Sequence, residues 1–362
     1  MNRRGLIIGA GSLLVLSGAS TLGWRASTGL MEDYAGYAAA LRKELPAGPT
    51  LRDLIGYATL APNGHNTQPW RFTIEGNAID ILPDPSRATS AVDPDDHHLF
   101  VSLGCVAETL RIAAEATGRP GAIEVAGDGG VRFTFTEGTG WSDPLFAAIP
   151  KRQSTRAEFD GRPVPAADLE ALARAASMPG VGLALVTERP RINQIRDLIL
   201  VGNGVQMADP AFMVELKHWL RFNPKQAMET GDGLFSAASG NPVLPDLLAG
   251  PAFDHFFTVA SENDKYARQI DSSAGLAVFI GEREDKAHWI AVGRACQRFA
   301  LAATSFGLRT SFVNQPVEVA PLRPQLAVLV GASGKRPDLV MRFGYGPTLP
   351  FSPRRPVTAV LV

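Results

Sequence analysis

A polar loop of unusual composition, APNGHNTQPWRF, spans residues 61–72. It places His65 among residue types that interrupt regular structure, and apolar residues follow at once. Three interpretations fit this pattern: a surface turn, a catalytic or metal site built on His65, or one wall of a cofactor pocket. The sequence places no second cluster of His, Cys or carboxylate residues where it would complete a site, so we expect His65 to pack or hydrogen-bond within the loop.

Two arginine clusters could hold an anion. In KRQSTR, residues 151–156, Arg152 and Arg156 flank Ser154, and two guanidiniums beside a hydroxyl can hold a phosphate through charge-assisted hydrogen bonds. In FSPRRPVTAVLV, residues 351–362, Arg354 and Arg355 lie between prolines, and the following apolar residues predict an arm that docks on the body. Solvated arginine pairs are common, so neither cluster alone establishes an anion site.

The run DPDDHH, residues 93–98, contains residue types that bind metals, namely Asp93, Asp95, Asp96, His97 and His98. It directly precedes an apolar pattern with helical spacing, where aspartates complement the positive end of the helix dipole. We therefore interpret the run as a helix N-terminus and expect no metal site.

Two helical segments resemble each other without a gap. FVSLGCVAETLRIAAEATG (residues 100–118) aligns with WIAVGRACQRFALAATSFG (residues 289–307), so that Gly104 matches Gly293. Each long helix is preceded by a shorter helix, a loop and a strand, and is followed by another strand. The shorter helices are predicted at 51–60 and 167–176, and the strands at 71–81, 131–136, 183–187 and 339–345.

These patterns predict an α+β fold of two tandem halves, each a mostly antiparallel sheet flanked by helices. We expect the first half at residues 29–148 and the second at 149–362, packed as a pseudo-dimer with a pocket between them. The first half has PNGHNTQPW where the second has only SMPGVG, and only the second has KRQSTR. One composite site is therefore expected.

The halves differ most in the connection from strand to long helix, about 25 residues in the first half and about 95 in the second. The excess, about residues 203–265, predicts a lid over the pocket. A structural flap or an oligomerisation arm would also fit.

Residues 1–28 have the charged, apolar and small-residue layout of an export signal. Arg3 and Arg4 resemble the pair of a twin-arginine signal, and Ser17-Gly18-Ala19 offers a cleavage site; an uncleaved anchor helix is the alternative. We expect the twin-arginine export machinery to recognise this segment. The protein would then be periplasmic, or it would face the periplasm while anchored to the membrane through this segment alone.

The composition is that of a globular protein, 45% hydrophobic and 20% charged with a net charge of −1. Since there is no run of Lys and Arg, nucleic-acid binding is disfavoured. Cys105 and Cys296 lie in apolar helical patterns away from any CxxC motif, which favours buried free thiols and leaves a disulfide open.

Taken together, NTQPWRF, RxSxR, GLxxSxxNQP and SPRRPV resemble the nitroreductase family of FMN-binding flavoproteins, in particular its single-chain tandem branch. The resemblance covers about residues 30–362. It departs from the family at Asn63-Gly64, where Ser is usual, and at His97-His98, where the tandem branch usually has Arg-Glu.

The resemblance implies FMN as the cofactor and assigns residues to it. The phosphate would be held by Arg152, Ser154 and Arg156, helped by Arg354 or Arg355. The isoalloxazine ring and ribityl chain would be lined by Pro62, Asn63, Gly64 and Asn66. Asn314 and Gln315 would lie near flavin N5.

Two functions are compatible with this assignment. The first is an FMN-dependent oxidoreductase that takes electrons from NAD(P)H or another donor and reduces a small-molecule acceptor, such as a nitroaromatic, a quinone or a similar planar compound. The second is an exported flavin-binding or sequestering protein with a lid and little reductase activity. No catalytic residue is predicted, because such chemistry depends mainly on positioning the acceptor over the flavin.

Overall fold

A computed structural model describes residues 23–141 and 143–362. Nearly all of the predicted export signal, including Arg3, Arg4 and the apolar run, lies outside the described residues. Within the described ranges, none of the helices combines the length and the apolar character that a membrane span requires.

The first half is built around a four-stranded sheet. Its helices and strands, in chain order, are α1 (Met31–Ala40), α2 (Leu51–Ala58), β1 (Trp70–Glu75), β2 (Ala78–Pro83), α3 (His97–Ala116), β3 (Gly121–Val125), β4 (Val131–Phe135) and α4 (Pro144–Ala148). The strand order is β1-β2-β4-β3, and every neighbouring pair is antiparallel. Alternate residues of β4 (Val131, Phe133 and Phe135) are buried, so one face of this sheet packs on the core that contains α3.

The second half has a similar order of elements with a long insertion. It comprises α5 (Ala166–Ala175), β5 (Val181–Val186), α6 (Arg189–Ala208), α7 (Pro210–Trp219), β6 (Leu220–Arg221), α8 (Pro224–Thr230), β7 (Leu234–Phe235), α9 (Asp246–Phe256), α10 (Val259–Asp271), β8 (Gly275–Gly281), α11 (Lys286–Ser305), β9 (Arg309–Phe312), α12 (Gln315–Glu318), α13 (Arg323–Leu329) and β10 (Leu339–Gly344). The main sheet has the antiparallel order β5-β8-β10-β9, and β6 pairs with β7 in parallel. Every residue of β8 and β10 is buried, because apolar clusters cover both faces of this sheet.

Short 3-10 turns lie between several of these elements, and residues 23–28 are helical as well. The turns are Gly64–Asn66, Pro85–Arg87, Ile149–Lys151, Ala237–Ser239, Ala320–Leu322 and Val357–Ala359.

The predicted α+β class is confirmed, and the predicted helices agree with the structure to within a few residues. The single strand predicted at 71–81 is wrong. A tight turn at Gly76 and Asn77, with Gly76 at a φ of 58°, divides this segment into the antiparallel pair β1 and β2. The predicted insertion contains all of α7, α8 and α9, the end of α6 and the start of α10, and its role as a lid stays a prediction.

The two halves meet where α3 crosses α11 in the main core. Gly104 and Gly293 lie at the crossing, so the two helix backbones touch there. One helical turn further along α3, the buried carboxylate of Glu108 accepts hydrogen bonds from Arg294 (2.9 Å) and Arg298 (3.1 Å) of α11. Close packing and a buried ion pair therefore hold the halves together.

The C-terminal segment returns to the first half. Phe72 of β1 donates its N–H to Val360 (2.7 Å) and accepts from the N–H of Val362 (2.9 Å), so the chain adds a short extended partner at the β1 edge. The hydroxyls of Tyr34 and Tyr37 on α1 each donate, at 2.6 Å, to backbone carbonyls of this segment. Residues 351–362 are thus part of the first half's packing.

Candidate functional site

One cavity is lined by parts of three segments that are far apart in the sequence: the loop 62–64, Arg156 of the cluster 151–156, and the pair 314–315. Six of the eleven predicted site residues line it, namely Pro62, Asn63, Gly64, Arg156, Asn314 and Gln315. The other five lie outside the lining, namely Asn66, Arg152, Ser154, Arg354 and Arg355. The cavity contains residues of both halves, as a composite site requires.

The loop wall has a strained backbone. His65, Asn66 and Gln68 all have positive φ, at 45°, 55° and 54°, and a left-handed residue other than glycine costs on the order of 1 kcal/mol. The side chain of Asn63 accepts a hydrogen bond from the N–H of Gln68 at 2.8 Å, which closes the loop on itself. Other contacts must hold this conformation in place.

Arg354 supplies those contacts. It is 3% exposed, and its guanidinium donates to Thr59 O (2.6 Å), Asn66 Oδ1 (2.7 Å), Pro353 O (2.8 Å), Leu60 O (3.0 Å) and Ala61 O (3.0 Å). A guanidinium has five N–H groups, and all five are used. Arg354 therefore holds the loop and has no donor left for a phosphate in this arrangement.

Asn66 and Arg355 serve the same loop. The amide of Asn66 donates to Gly233 O and Pro353 O, both at 3.0 Å. The guanidinium of Arg355 donates to Gln68 O (3.4 Å) and Ala359 O (2.7 Å). These residues support the cavity wall from behind, and their direct contact with a ligand stays a prediction.

The cluster 151–156 presents one free cation to the cavity. The partly buried Arg156 donates no side-chain hydrogen bond and forms no ion pair within the described residues, and burial lowers its pKa. Arg152 lies behind the wall and donates from Nη2 to Leu60 O at 2.7 Å. Ser154 pairs through its backbone with Thr310. Because an unpaired buried cation is costly, Arg156 is the group most suited to an anionic ligand.

The peptide segment 314–315 is fixed against β10. Asn314 Oδ1 accepts from the N–H of Val340 at 2.9 Å, so its Nδ2 is directed at Nε2 of His98, 3.3 Å away. Oε1 of Gln315 is buried without a hydrogen-bond partner among the described residues. This segment therefore offers polar groups to a ligand beside β10.

A polar face of α10 forms another wall, which sequence reasoning missed. Its residues are Glu262, Lys265, Tyr266 and Gln269. Burial raises the pKa of Tyr266 to about 12 and lowers that of Lys265. These four residues could have been recognised in the sequence from their spacing, because intervals of three, one and three residues place them on one face of a helix.

His98 is a titratable group of the cavity wall. Its Nδ1 lies 3.3 Å from Oδ1 of Asp93, and that buried carboxylate also accepts from the N–H groups of His98 (2.9 Å) and Leu99 (3.0 Å). Burial opposes the charged form of His98, but the interaction with Asp93 outweighs it and the pKa of His98 is raised. Nearby, burial raises the pKa of Glu318.

His65 behaves differently from His98. It lines the cavity, and burial together with the positive charge of Arg156 lowers its pKa to about 4. It is therefore neutral near pH 7 and makes no ion pair within the described part of the chain.

Asp93, His97 and His98 bring one potential metal ligand each to within 4.8 Å of one another. Hydrogen bonds account for these positions, because Asp93 binds the first N–H groups of α3 and Nε2 of His97 lies 2.9 Å from Asp338. Helix α3 begins at His97, as the acidic run predicted. The expected lack of a metal stays a prediction.

Apolar residues of the insertion also line the cavity. These are Phe212, Leu216, Leu220, Leu234 and Phe257. The cavity therefore has polar walls on α10, the loop and segment 314–315, and an apolar wall contributed by residues 212–257.

Comparisons with known proteins agree with the motifs. No family model matches the chain. A Mycobacterium tuberculosis protein named "Putative NAD(P)H nitroreductase Rv3131" is 26% identical over 335 residues, which are 89% of this chain and 94% of the relative. Another from the same organism, "Putative NAD(P)H nitroreductase acg", is 23% identical over 334 residues, 86% of this chain and 94% of the relative.

Among solved structures, the FMN-dependent nitroreductase NfnB from Mycobacterium smegmatis, in complex with NADPH, matches 56% of this chain and 87% of its own at 12% identity, with a TM-score of 0.39. The similarity to the mycobacterial relatives extends over most of both chains, and their names agree with the nitroreductase family that the sequence motifs resemble.

Proposed function

We propose that this protein is an FMN-dependent oxidoreductase of the nitroreductase type, which reduces nitroaromatic, quinone or similar planar acceptors at one composite site. One observation carries the proposal: three segments singled out for the flavin from sequence alone, 62–64, 156 and 314–315, line the same cavity. The names of the relatives support a nicotinamide as the electron donor.

The residues present fit FMN. Arg156 is a cation without a partner in the described residues, which suits a phosphate. Polar groups of the loop and of Gln315 suit the ring carbonyls and N5, and the apolar wall contributed by residues 212–257 suits planar aromatic compounds. When bound, FMN would supply the two-electron transfer between donor and acceptor.

The chain itself can supply a proton donor. Reduction of a quinone or nitro group consumes protons as well as electrons, and His98 is a titratable group of the cavity wall whose pKa is raised by Asp93. Asp93 fixes the ring through Nδ1, so Nε2 is the nitrogen that can exchange a proton, and in the neutral ring it accepts from Nδ2 of Asn314. General acid catalysis from Nε2 therefore requires the Asn314 amide to turn away when this nitrogen is protonated.

An absorption spectrum of the purified protein is the first test. We expect flavin bands, bleaching by NADPH or NADH without oxygen, and their return on adding a nitroaromatic or a benzoquinone. A colourless protein that takes up no FMN would contradict the proposal.

The apolar wall that residues 212–257 of the predicted lid contribute to the cavity favours a second candidate, a protein that sequesters flavin under that lid. It predicts a yellow protein that neither nicotinamides nor acceptors affect. Slow flavin release that accelerates when the insertion is loosened, for example by Phe257→Ala, would favour this candidate over the reductase.

We also propose that the protein is exported through its N-terminal segment. Replacing Arg3 and Arg4 by lysines is expected to retain the protein in the cytoplasm, because twin-arginine export depends on the arginine pair. Fractionation of cells that express the two forms would show this, and equal distribution would contradict it.

A further inference from the structure

Two buried thiols lie near the point where the long helices cross. Cys105 of α3 and Cys296 of α11 are both buried and unbridged, and both belong to the main core. Sγ of Cys105 donates across the crossing to the carbonyl oxygen of Gly293, at 3.2 Å. Gly293 precedes Cys296 by three residues and so lies on the same face of α11.

The backbone geometry at this crossing favours a bond between the thiols. A disulfide needs Cα atoms about 4.4–6.8 Å apart. Helices packed through side chains keep their axes about 8–10 Å apart. Here the backbones themselves are in contact, because a Cβ on Gly293 would lie 3.0 Å from the backbone nitrogen of Cys105. In the next turn, Gln297 donates to Thr109 at 2.8 Å, so the helices stay in contact beyond the thiols.

A buried cation lies near both thiols. Arg152 is 5% exposed; burial lowers its pKa to about 10, and the thiols of Cys105 and Cys296 partly offset this effect. Its Nε is buried without a partner among the described residues, and Nη2 donates to Leu60 O. Burial and the neighbouring Cys105 raise the pKa of the Cys296 thiol well above its usual value, and the positive charge of Arg152 opposes this rise, so Arg152 favours the thiolate that attacks an oxidant.

Of the two cysteines, Cys105 is among the residues that line the cavity, although it is only 2% exposed. A small oxidant that enters the cavity would therefore approach the pair from Cys105. Cys296 lies behind Cys105 in the core, where it can resolve the first oxidation product.

We propose that Cys105 and Cys296 are a redox-active pair, closing to a disulfide that joins the two long helices beside the cavity. Each thiol gives up one proton and one electron, and one Sγ–Sγ bond forms. A small diazene or disulfide oxidant takes up the two electrons and two protons, and a dithiol reductant reverses the step. The proposal does not depend on FMN.

Thiol counting tests it on the full-length protein. After treatment with diamide and denaturation, alkylation by a maleimide is followed by intact mass. Since the chain has two cysteines, we expect two maleimides on reduced protein, none on oxidised protein, and a cross-linked peptide that contains both cysteines. The melting temperature is expected to rise by several degrees on oxidation and to return with dithiothreitol.

Cys105→Ser and Cys296→Ser are the matched controls, each expected to keep one alkylatable thiol and to show no shift in melting temperature. Arg152→Gln is expected to slow closure at least tenfold, and an unchanged rate would remove the role given to Arg152. The proposal is overturned if both thiols stay alkylatable in folded protein after prolonged treatment, or if oxidation only joins separate chains.

Discussion

Gly104 and Gly293 occupy matching positions on the two long helices and touch the partner helix in the same way. A Cβ on Gly104 would lie 2.0 Å from the carbonyl oxygen of Ile290, and a Cβ on Gly293 would lie 2.0 Å from that of Val101. Ile290 and Val101 are themselves matched in the alignment of the two helices. The contact is reciprocal, so each helix needs its glycine for the other to approach.

Replacing Gly104 by alanine is expected to destabilise the protein by about 3 kcal/mol or more, because the methyl group meets backbone that cannot move independently. Denaturant unfolding measures the effect. Gly36→Ala is the matched control: it also lies in a helix but has no atom within 4 Å of the added Cβ, so a gain of about 1 kcal/mol is expected. If the two variants changed the free energy of unfolding by the same amount, the close contact between α3 and α11 at Gly104 would be contradicted.

Glu108→Gln is expected to cost about 3 kcal/mol at neutral pH, because three arginines lose a buried partner. Arg111 lies 2.6 Å from this carboxylate, in addition to Arg294 and Arg298. The control Glu115→Gln removes a carboxylate that pairs, among the described residues, with Arg111 alone, and it should cost less than about 1 kcal/mol.

The same carboxylate predicts a pH dependence. Burial opposes its ionisation, but the arginines outweigh burial and hold the pKa of Glu108 below its usual 4.5. A depressed folded-state pKa stabilises the protein above pH 4.5, and this stabilisation is lost as the pH falls below that value. The free energies of unfolding of the native protein and of Glu108→Gln should therefore converge as the pH is lowered from 7 to 3. A difference that stays constant over this range would exclude this explanation.

Arg354→Ala is expected to cost at least about 3 kcal/mol, since several buried carbonyls lose their donors. It should also weaken flavin retention, because the loop of residues 61–68 loses its support. Arg354→Lys offers three N–H donors for five acceptors, so it should restore little of the lost stability or flavin retention. Arg355→Ala is the neighbouring control, and a cost as large as that of Arg354→Ala would show that the two arginines act alike.

Arg156→Ala is expected to weaken FMN binding at least tenfold with little loss of stability, because its side chain has no partner in the described part of the chain. Titration of flavin fluorescence measures this affinity. Arg162→Ala, which removes an exposed arginine paired with Asp160, is the control. Unchanged affinity in Arg156→Ala would remove this residue from the phosphate site.

His98→Gln is expected to lower turnover of a quinone or nitroaromatic by about 10²-fold, while flavin reduction by NAD(P)H under anaerobic conditions proceeds as before. Turnover of the native protein should fall as the pH rises through the raised pKa of His98, and the variant should lose this fall. His255→Gln, on the exposed face of α9, is the control. A variant with normal turnover would exclude His98 as the acid.

The sequence predicted the long helices well, because apolar residues at helical spacing and a closing glycine identify a buried helix directly. It missed the β1–β2 hairpin, since the turn at Gly76 interrupts an apolar alternation that otherwise reads as one strand. The helices of the insertion were also missed, because their positions depend on packing over the cavity.

The arginines show why the site was only partly predictable. Sequence identifies a guanidinium that can hold an anion, but it does not show whether backbone carbonyls already occupy the donors. Arg354 turned out to be fully occupied within the fold, whereas Arg156 faces the cavity. Segment 314–315 lines the cavity, and its contact with a flavin stays a prediction. The polar face of α10 was recognisable only from its spacing.

The segment that pairs with Phe72 has a consequence for how the protein can be divided. The first half takes its outermost strand partner, and the arginine that holds its loop, from residues 354–362 of the second half. A fragment ending at residue 148 would expose the edge of β1, and unpaired strand edges promote aggregation. The two halves are therefore not interchangeable modules. A split or recombined version of this protein would need to keep residues 351–362 together with the first half.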